Sequence, residues 1–195
     1  MRLFERALSR AQLPVKFSEG FNPRPKLSLS LPRAVGVASD VELLVVEFDQ
    51  VVEPAEVMQK LGEQMPDGLT LIEAWPMPES RAPQPELVEY QLPLTPERLT
   101  PVAELLERVL AAPTWMVGRD KARGQREKEI DLRAYLHAAA IKDQTLCWTV
   151  RVTNSGTLRP AEMLTALGLN PKEWHHRVRR IAVQWSNAGT TQVAV

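Results

Sequence analysis

Cysteine is nearly absent from this 195-residue chain, where Cys147 stands alone. An internal disulfide is therefore excluded, and a lone thiol fits a reducing compartment. Histidine is almost as scarce, with only His137, His175 and His176. No CxxC or HxxxH spacing occurs, so a metal site lacks ligands at suitable intervals. Net charge is missing too: 24 Lys and Arg balance 24 Asp and Glu. No global field draws in nucleic acid. No apolar run reaches the roughly 18 residues of a membrane span. The amino end lacks the apolar stretch of a signal peptide. Phosphate-cradling P-loops and dinucleotide GxGxxG motifs do not occur. The expectation is a cytoplasmic protein with no membrane contact and no cofactor in this chain.

What is present begins with an ordinary hydrophobic fraction of 44%, enough for a sizeable core. The charge balance hides an asymmetry. Residues 1–37 carry seven cations (Arg2, Arg6, Arg10, Lys16, Arg24, Lys26, Arg33) against Glu5 and Glu19. Within this region, Phe17 to Lys26 interleaves two aromatics, a glycine and two prolines with Arg24 and Lys26. Pro23 and Pro25 exclude a core strand. Phe17 and Phe21 set it apart from a disordered linker. It reads as an ordered loop, braced by its prolines and anchored by its rings. Gly20 supplies a positive φ or a close backbone approach, and Asn22, before Pro23, is biased to extended geometry.

Periodicity places elements around this loop. Met1–Leu13 reads as a helix with Leu3, Phe4, Ala7, Leu8 and Ala11 on one face and Arg2, Arg6 and Arg10 on another; Pro14 ends it. Lys26–Leu31 and Val41–Phe48 read as strands, the second apolar enough to be central. Glu53–Met65 reads as a helix and Leu69–Trp75 as a third strand. This order is a ferredoxin-like βαββαβ unit lacking its first strand. The abrupt helical start implies an upstream element. Pro76, Pro78, Pro83 and Pro85 mark a stiff linker.

The second half repeats the plan. Val88–Leu92 is a strand, Pro96–Ala112 a helix, and Thr114–Val117 the start of a strand. Residues 119–129 read as an exposed charged loop and 130–141 as a β-hairpin, with a helix as the other reading. Leu146–Val152 is a strand, 159–167 a helix capped by Gly168, and Arg177–Trp185 the last strand. The expected fold is therefore α+β, two tandem ferredoxin-like units. Their expected spans are 1–76 and 87–186, with a linker at 77–86 and a frayed tail at 187–195.

Chemistry-bearing candidates are thin. His175 and His176, adjacent on a strand, point opposite ways. Cys147 beside Trp148 reads as a core thiol. Ser18 and Ser28 have no histidine near in sequence, and no catalytic residue or metal ligand is assigned. Asp131 with Arg133 reads as an ion pair or a ligand contact, with a structural pair as the plainer reading. Basic and aromatic residues interleaved at 17–26 can stack on bases and touch phosphates of single-stranded RNA. The plainer alternative is rings packed beneath a proline loop. The contact candidates are Arg2, Arg6, Arg10, Phe17, Phe21, Asn22, Arg24 and Lys26. The secondary candidates are Asp131, Arg133, Arg159, Arg177 and Arg179, the last two on one strand face. Arg119, Lys121, Arg123 and Arg126 form a further basic group.

Several of these stretches resemble one family. Leu3–Leu8, Leu13-Pro14, the run Phe17–Ser28, and Val35–Ser39 resemble the radical-SAM-linked protein family. Glu129–Arg133 and Gly156–Glu162 are weaker echoes. The resemblance implies a partner, a radical SAM enzyme encoded beside the protein or fused ahead of it, but no reaction. Members usually begin with a strand and a short motif before this helix, which this chain lacks. A radical SAM cluster needs three cysteines near one iron–sulfur centre, so that chemistry would belong to the partner. Three functions follow as expectations: an accessory module holding RNA for that enzyme, a docking module touching no nucleic acid, or a ferredoxin-like RNA-processing hydrolase with a histidine base.

Overall fold

A computed structural model describes residues 1–77, 83–119 and 128–186. Its elements are α1 (Arg2–Arg10), β1 (Leu27–Leu29), β2 (Ala38–Ser39), β3 (Leu44–Val46), α2 (Pro54–Gly62), β4 (Pro85–Pro93), α3 (Pro96–Ala111), β5 (Met116–Arg119), β6 (Lys128–Asp131), α4 (Leu132–Tyr135), β7 (Leu136–Lys142), β8 (Thr145–Arg151), α5 (Pro160–Ala166), α6 (Pro171–Trp174) and β9 (Arg179–Trp185), with a 3-10 turn at His175–Arg177. The class is mixed α+β. Contacts divide it into two compact units, one from Met1–Pro32 with Val41–Gln84, the other from Arg33–Asp40 with Pro85–Ser186.

The first unit is a small helical layer on a two-stranded sheet. Ala7 and Leu8 of α1 are buried with Ala11, Leu13, Val15 and Leu61. Leu27, Val46, Phe48, Val52, Val57, Met65 and Leu71 pack against that cluster. The apolar face of α1 follows from its 3.6-residue period. The helix ends earlier than the sequence suggests, because Gln12 turns left-handed at φ 53° ahead of Pro14. β1 and β3 pair antiparallel, Leu27 opposite Val46. Both are three residues long and only half-buried, so β3 is not the central strand its composition implies. Leu69–Trp75 forms no strand. Leu71 alone anchors it to the cluster, while Ile72 and Trp75 stay exposed.

The second unit is built on a five-stranded sheet ordered β2-β9-β4-β8-β7. β4 and β8 alternate inward and outward residues: Val88, Tyr90 and Leu92 are buried, as are Leu146, Trp148 and Val150. Tyr90 lies opposite Trp148, and their rings stack at 5.3 Å. Val102, Leu106 and Val109 of α3 and Met163 and Leu164 of α5 are buried too. β7 turns into β8 through Asp143 and Gln144, both at positive φ, which is the twist a two-residue hairpin needs. β4 pairs antiparallel with β8 and β9, and β7 with β8. β2 adds in parallel beside β9, Ala38 opposite Arg179. The segment between the two strands expected at Lys26–Leu31 and Val41–Phe48 therefore contributes a strand to the second unit.

Other boundaries shift for local reasons. Residues 130–141 are not the expected hairpin: Ile130 and Asp131 end β6, which pairs with β5, one helical turn, α4, follows, and β7 pairs with β8. Arg119 and residues 128–131 belong to the β5–β6 ladder, with Val117 opposite Ile130, and are not a loop. Gly168 takes φ 67° after α5, the left-handed geometry of a helix stop. The last strand starts at Arg179, two residues late, because His175–Arg177 close a 3-10 turn. Residues 78–82 of the expected linker, the cations Lys121, Arg123 and Arg126, and the tail at 187–195 lie outside the described residues.

Candidate functional site

The loop at 17–25 is closed by its backbone. Val15 bridges Phe48 and Phe17 bridges Pro25, both antiparallel. Ser18 N donates to Arg24 O at 2.8 Å, and Arg24 N donates back to Ser18 Oγ at 3.0 Å. Below this clip, Lys26 N donates to Lys16 O at 2.7 Å and Lys16 N to Glu47 O at 2.8 Å. The loop therefore extends the β1–β3 edge as an irregular finger. Gly20 sits at φ 123° at its tip, a geometry that strains any residue with a β-carbon.

The side chains point out of the finger. Phe21 is 105% exposed and Phe17 51%. Asn22, Pro23 and Arg24 are exposed as well. The expectation that the rings anchor the loop is corrected: hydrogen bonds and prolines hold it, and the rings face solvent. Exposing a whole phenylalanine forgoes about 1.5–3 kcal/mol of burial, so this ring does nothing for the stability of the unit.

The cations at the loop differ in their surroundings. Lys16 and Lys26 flank Glu47 at 3.9 and 3.5 Å. These pairs are exposed and contribute at most about 1 kcal/mol each. Among the described residues the Arg24 guanidinium has no acidic partner. Arg2, Arg6 and Arg10 line the solvent face of α1, all exposed, and among the described residues no ion pair joins them to an acid. Four of the candidate arginines in the first unit are thus open to a ligand.

The secondary candidates are tied into the second unit. Asp131 caps α4: its Oδ1 accepts from Arg133 N at 3.0 Å and from Trp115 N at 2.9 Å. Its contact with Arg133 runs through the backbone and is not the side-chain pair the sequence suggests. Removing the cap by Asp131→Ala is expected to cost about 1–2 kcal/mol, read as a lower denaturant midpoint. Arg159 precedes α5, and its N–H donates to Glu162 Oε2 at 2.7 Å. Arg177 lies outside the last strand and stacks on Trp174 at 4.8 Å. Arg179 pairs with Asp40 across the β2–β9 contact. Arg177 and Arg179 therefore do not share a strand face.

One arrangement was invisible in the sequence. Arg119 Nε and Nη2 donate to Glu162 Oε1 and Oε2 at 2.5 and 2.9 Å, and Nη2 also donates to Thr157 O at 2.7 Å. Glu162 is 4% exposed. The hydrogen bond from Glu162 raises the guanidinium's pKa above its ordinary value, against burial. The echo motif at 156–162 is the cradle of this pair, and Arg119 is not a free cation.

Histidine and cysteine chemistry finds no constellation. His137 Nδ1 lies 3.0 Å from Arg151 Nη2. His175 and His176 sit in the 3-10 turn and not on a strand. Cys147 is half-buried within β8. Among the described residues, no three of His, Cys, Asp or Glu are grouped to hold a metal ion, and no helix is long and apolar enough to cross a membrane. No curated protein matches the chain. Residues 1–160 do match the sequence model of DUF2344, described as an uncharacterised protein conserved in bacteria, so the finger and most of both units lie inside the match and the chain belongs to that family.

Proposed function

We propose that this chain is a non-catalytic accessory module that presents single-stranded RNA to a radical SAM enzyme. The observation that carries the reading is the exposure of Phe21 and Phe17 on a finger clipped at Ser18 and Arg24. Fixed, solvent-facing rings stack on bases at little ordering cost, and an unpaired arginine beside them reaches phosphate. Arg2, Arg6 and Arg10 supply further charge in the same unit. The radical SAM partner rests on the family resemblance of the motifs at 3–8, 17–28 and 35–39. Covalent chemistry and its cofactor are assigned to that partner, and the setting is cytoplasmic.

The architecture that goes with this reading is a pair of ferredoxin-like units. In the second unit the order β9-β4-β8-β7, with antiparallel neighbours, supports it. It is the order that a βαββαβ unit takes when each helix crosses over one strand. The β5–β6 ladder is then an insertion and β2 an added edge strand. The first unit contributes two helices and two short strands toward the same plan.

A second reading uses the same residues: exposed phenylalanines and prolines also suit docking on a protein surface. Crosslinking in cells separates the two. The RNA reading expects RNA joined to residues 17–24 and the radical SAM enzyme recovered with it. Recovery of the enzyme after nuclease treatment, with no crosslinked RNA, favours docking. Recovery of neither removes both.

A further inference from the structure

The second unit carries a depression that the finger does not involve. It measures about 360 Å3 and is lined by Gly36, Ala161, Pro171, Lys172, His175 and His176. Its titratable lining is one ammonium and two imidazoles, without a carboxylate. The acids closest in sequence are engaged elsewhere. Asp40 pairs with Arg179, Glu162 holds Arg119, and Glu173 Oε1 accepts from Asn170 Nδ2 at 2.9 Å. Arg177 shares the turn with both histidines, and Arg33 lies on the segment that carries Gly36.

The side chains there are short of acceptors. His175 is half-buried, and its Nδ1 stands 3.5 Å from where a β-carbon on Gly36 would lie. That is ordinary contact distance, so Gly36 is favoured here by its φ of 89° and not by crowding against the ring. Among the described residues, neither His175 nor His176 makes a side-chain hydrogen bond, and Lys172 Nζ has no ion pair. Lys172 and His176 are exposed beside the half-buried His175, so an ammonium and two ring N–H donors face the depression with no carboxylate in its lining to engage them.

We propose that this depression binds a phosphate group, with Lys172 as the counter-charge and His175 and His176 as ring N–H donors. A carboxylate is a planar two-oxygen acceptor that suits the guanidinium fork. A phosphate presents oxygens in several directions and suits separate point donors around a bowl. The phosphate can be a monoester on a small molecule or a diester in a nucleic-acid backbone, and the test separates these.

The experiment uses the full chain at fixed pH and follows the ring C–H signals of His175 and His176 by NMR. The probes are inorganic phosphate, adenosine monophosphate and a uridine hexamer without a terminal phosphate. Saturable shifts of both rings with inorganic phosphate are expected. Lys172→Ala and His175→Ala should each weaken the apparent affinity about tenfold, as loss of one charge-assisted contact does. Lys142→Ala, on β7, should leave it unchanged. A response to both monophosphates alone identifies a small-molecule ligand, and an equal response to the hexamer identifies a backbone ligand. Shifts that stay linear in concentration, that survive Lys172→Ala, or that acetate reproduces with equal saturation overturn the proposal. Loss of finger binding through Phe21 and Arg24 leaves this result untouched, because those residues lie in the other unit.

Discussion

Glu162→Ala should destabilise the second unit by about 3–5 kcal/mol, the cost of leaving a buried charge without its partner. The carboxylate is 4% exposed, accepts two bonds from Arg119 and one from Arg159 N, and fixes the start of α5 against β5. Its loss strands a guanidinium whose side chain is only 15% exposed. Unfolding in denaturant, followed by tryptophan fluorescence, measures the effect, since Trp148 is buried in the same unit. Arg119→Met combined with Glu162→Leu should lose less than either single change, because apolar replacement of both partners removes the desolvation cost with the attraction. A double variant that loses the sum of the single effects would show that the two residues act independently.

Phe21→Ala is expected to weaken single-stranded RNA binding by about 1–3 kcal/mol, the contribution of one stacked base. That is roughly a 5- to 150-fold rise in Kd. Stability should not change, because the ring is fully exposed and exposed substitutions generally stay within about 0.5 kcal/mol. Fluorescence anisotropy with a labelled uridine oligomer measures the first quantity and thermal unfolding the second. A variant that binds as tightly as the parent removes stacking at Phe21 from the account. A variant that unfolds early shows instead that the ring supports the finger.

What the sequence revealed depended on distance along the chain. The alternation in β4 and β8 was legible because period two is local and both strands bury one face. Leu99, Val102, Leu105, Leu106 and Val109 recur at helical spacing, so the buried face of α3 was legible for the same reason, though Leu99 and Leu105 are only half-buried. β2 was not, since two residues carry no period and the strand it pairs with lies at Arg179 and Arg180. Leu69–Trp75 shows the opposite failure: it has strand composition, but composition does not supply a partner for its backbone. Asp131 stood out in the sequence only beside Arg133, which suggested an ion pair, whereas the bond runs to the backbone. Arg119 and Glu162 stand 43 residues apart, and no local window relates them. At the finger, two prolines and a glycine announced an ordered loop, whereas the outward facing of its rings required the three-dimensional structure.

The account rests most heavily on the finger meeting RNA, and its salt dependence is the most direct probe. Affinity for a single-stranded oligomer is to be measured across ionic strength for the parent chain and for the Phe21→Ala, Arg24→Ala double variant. The parent should bind with log Kd rising linearly in log salt. The variant should bind more weakly, and its slope should fall by about 0.7, the value for one phosphate contact on a single strand. Equal affinity and equal slope in the two proteins would contradict the account.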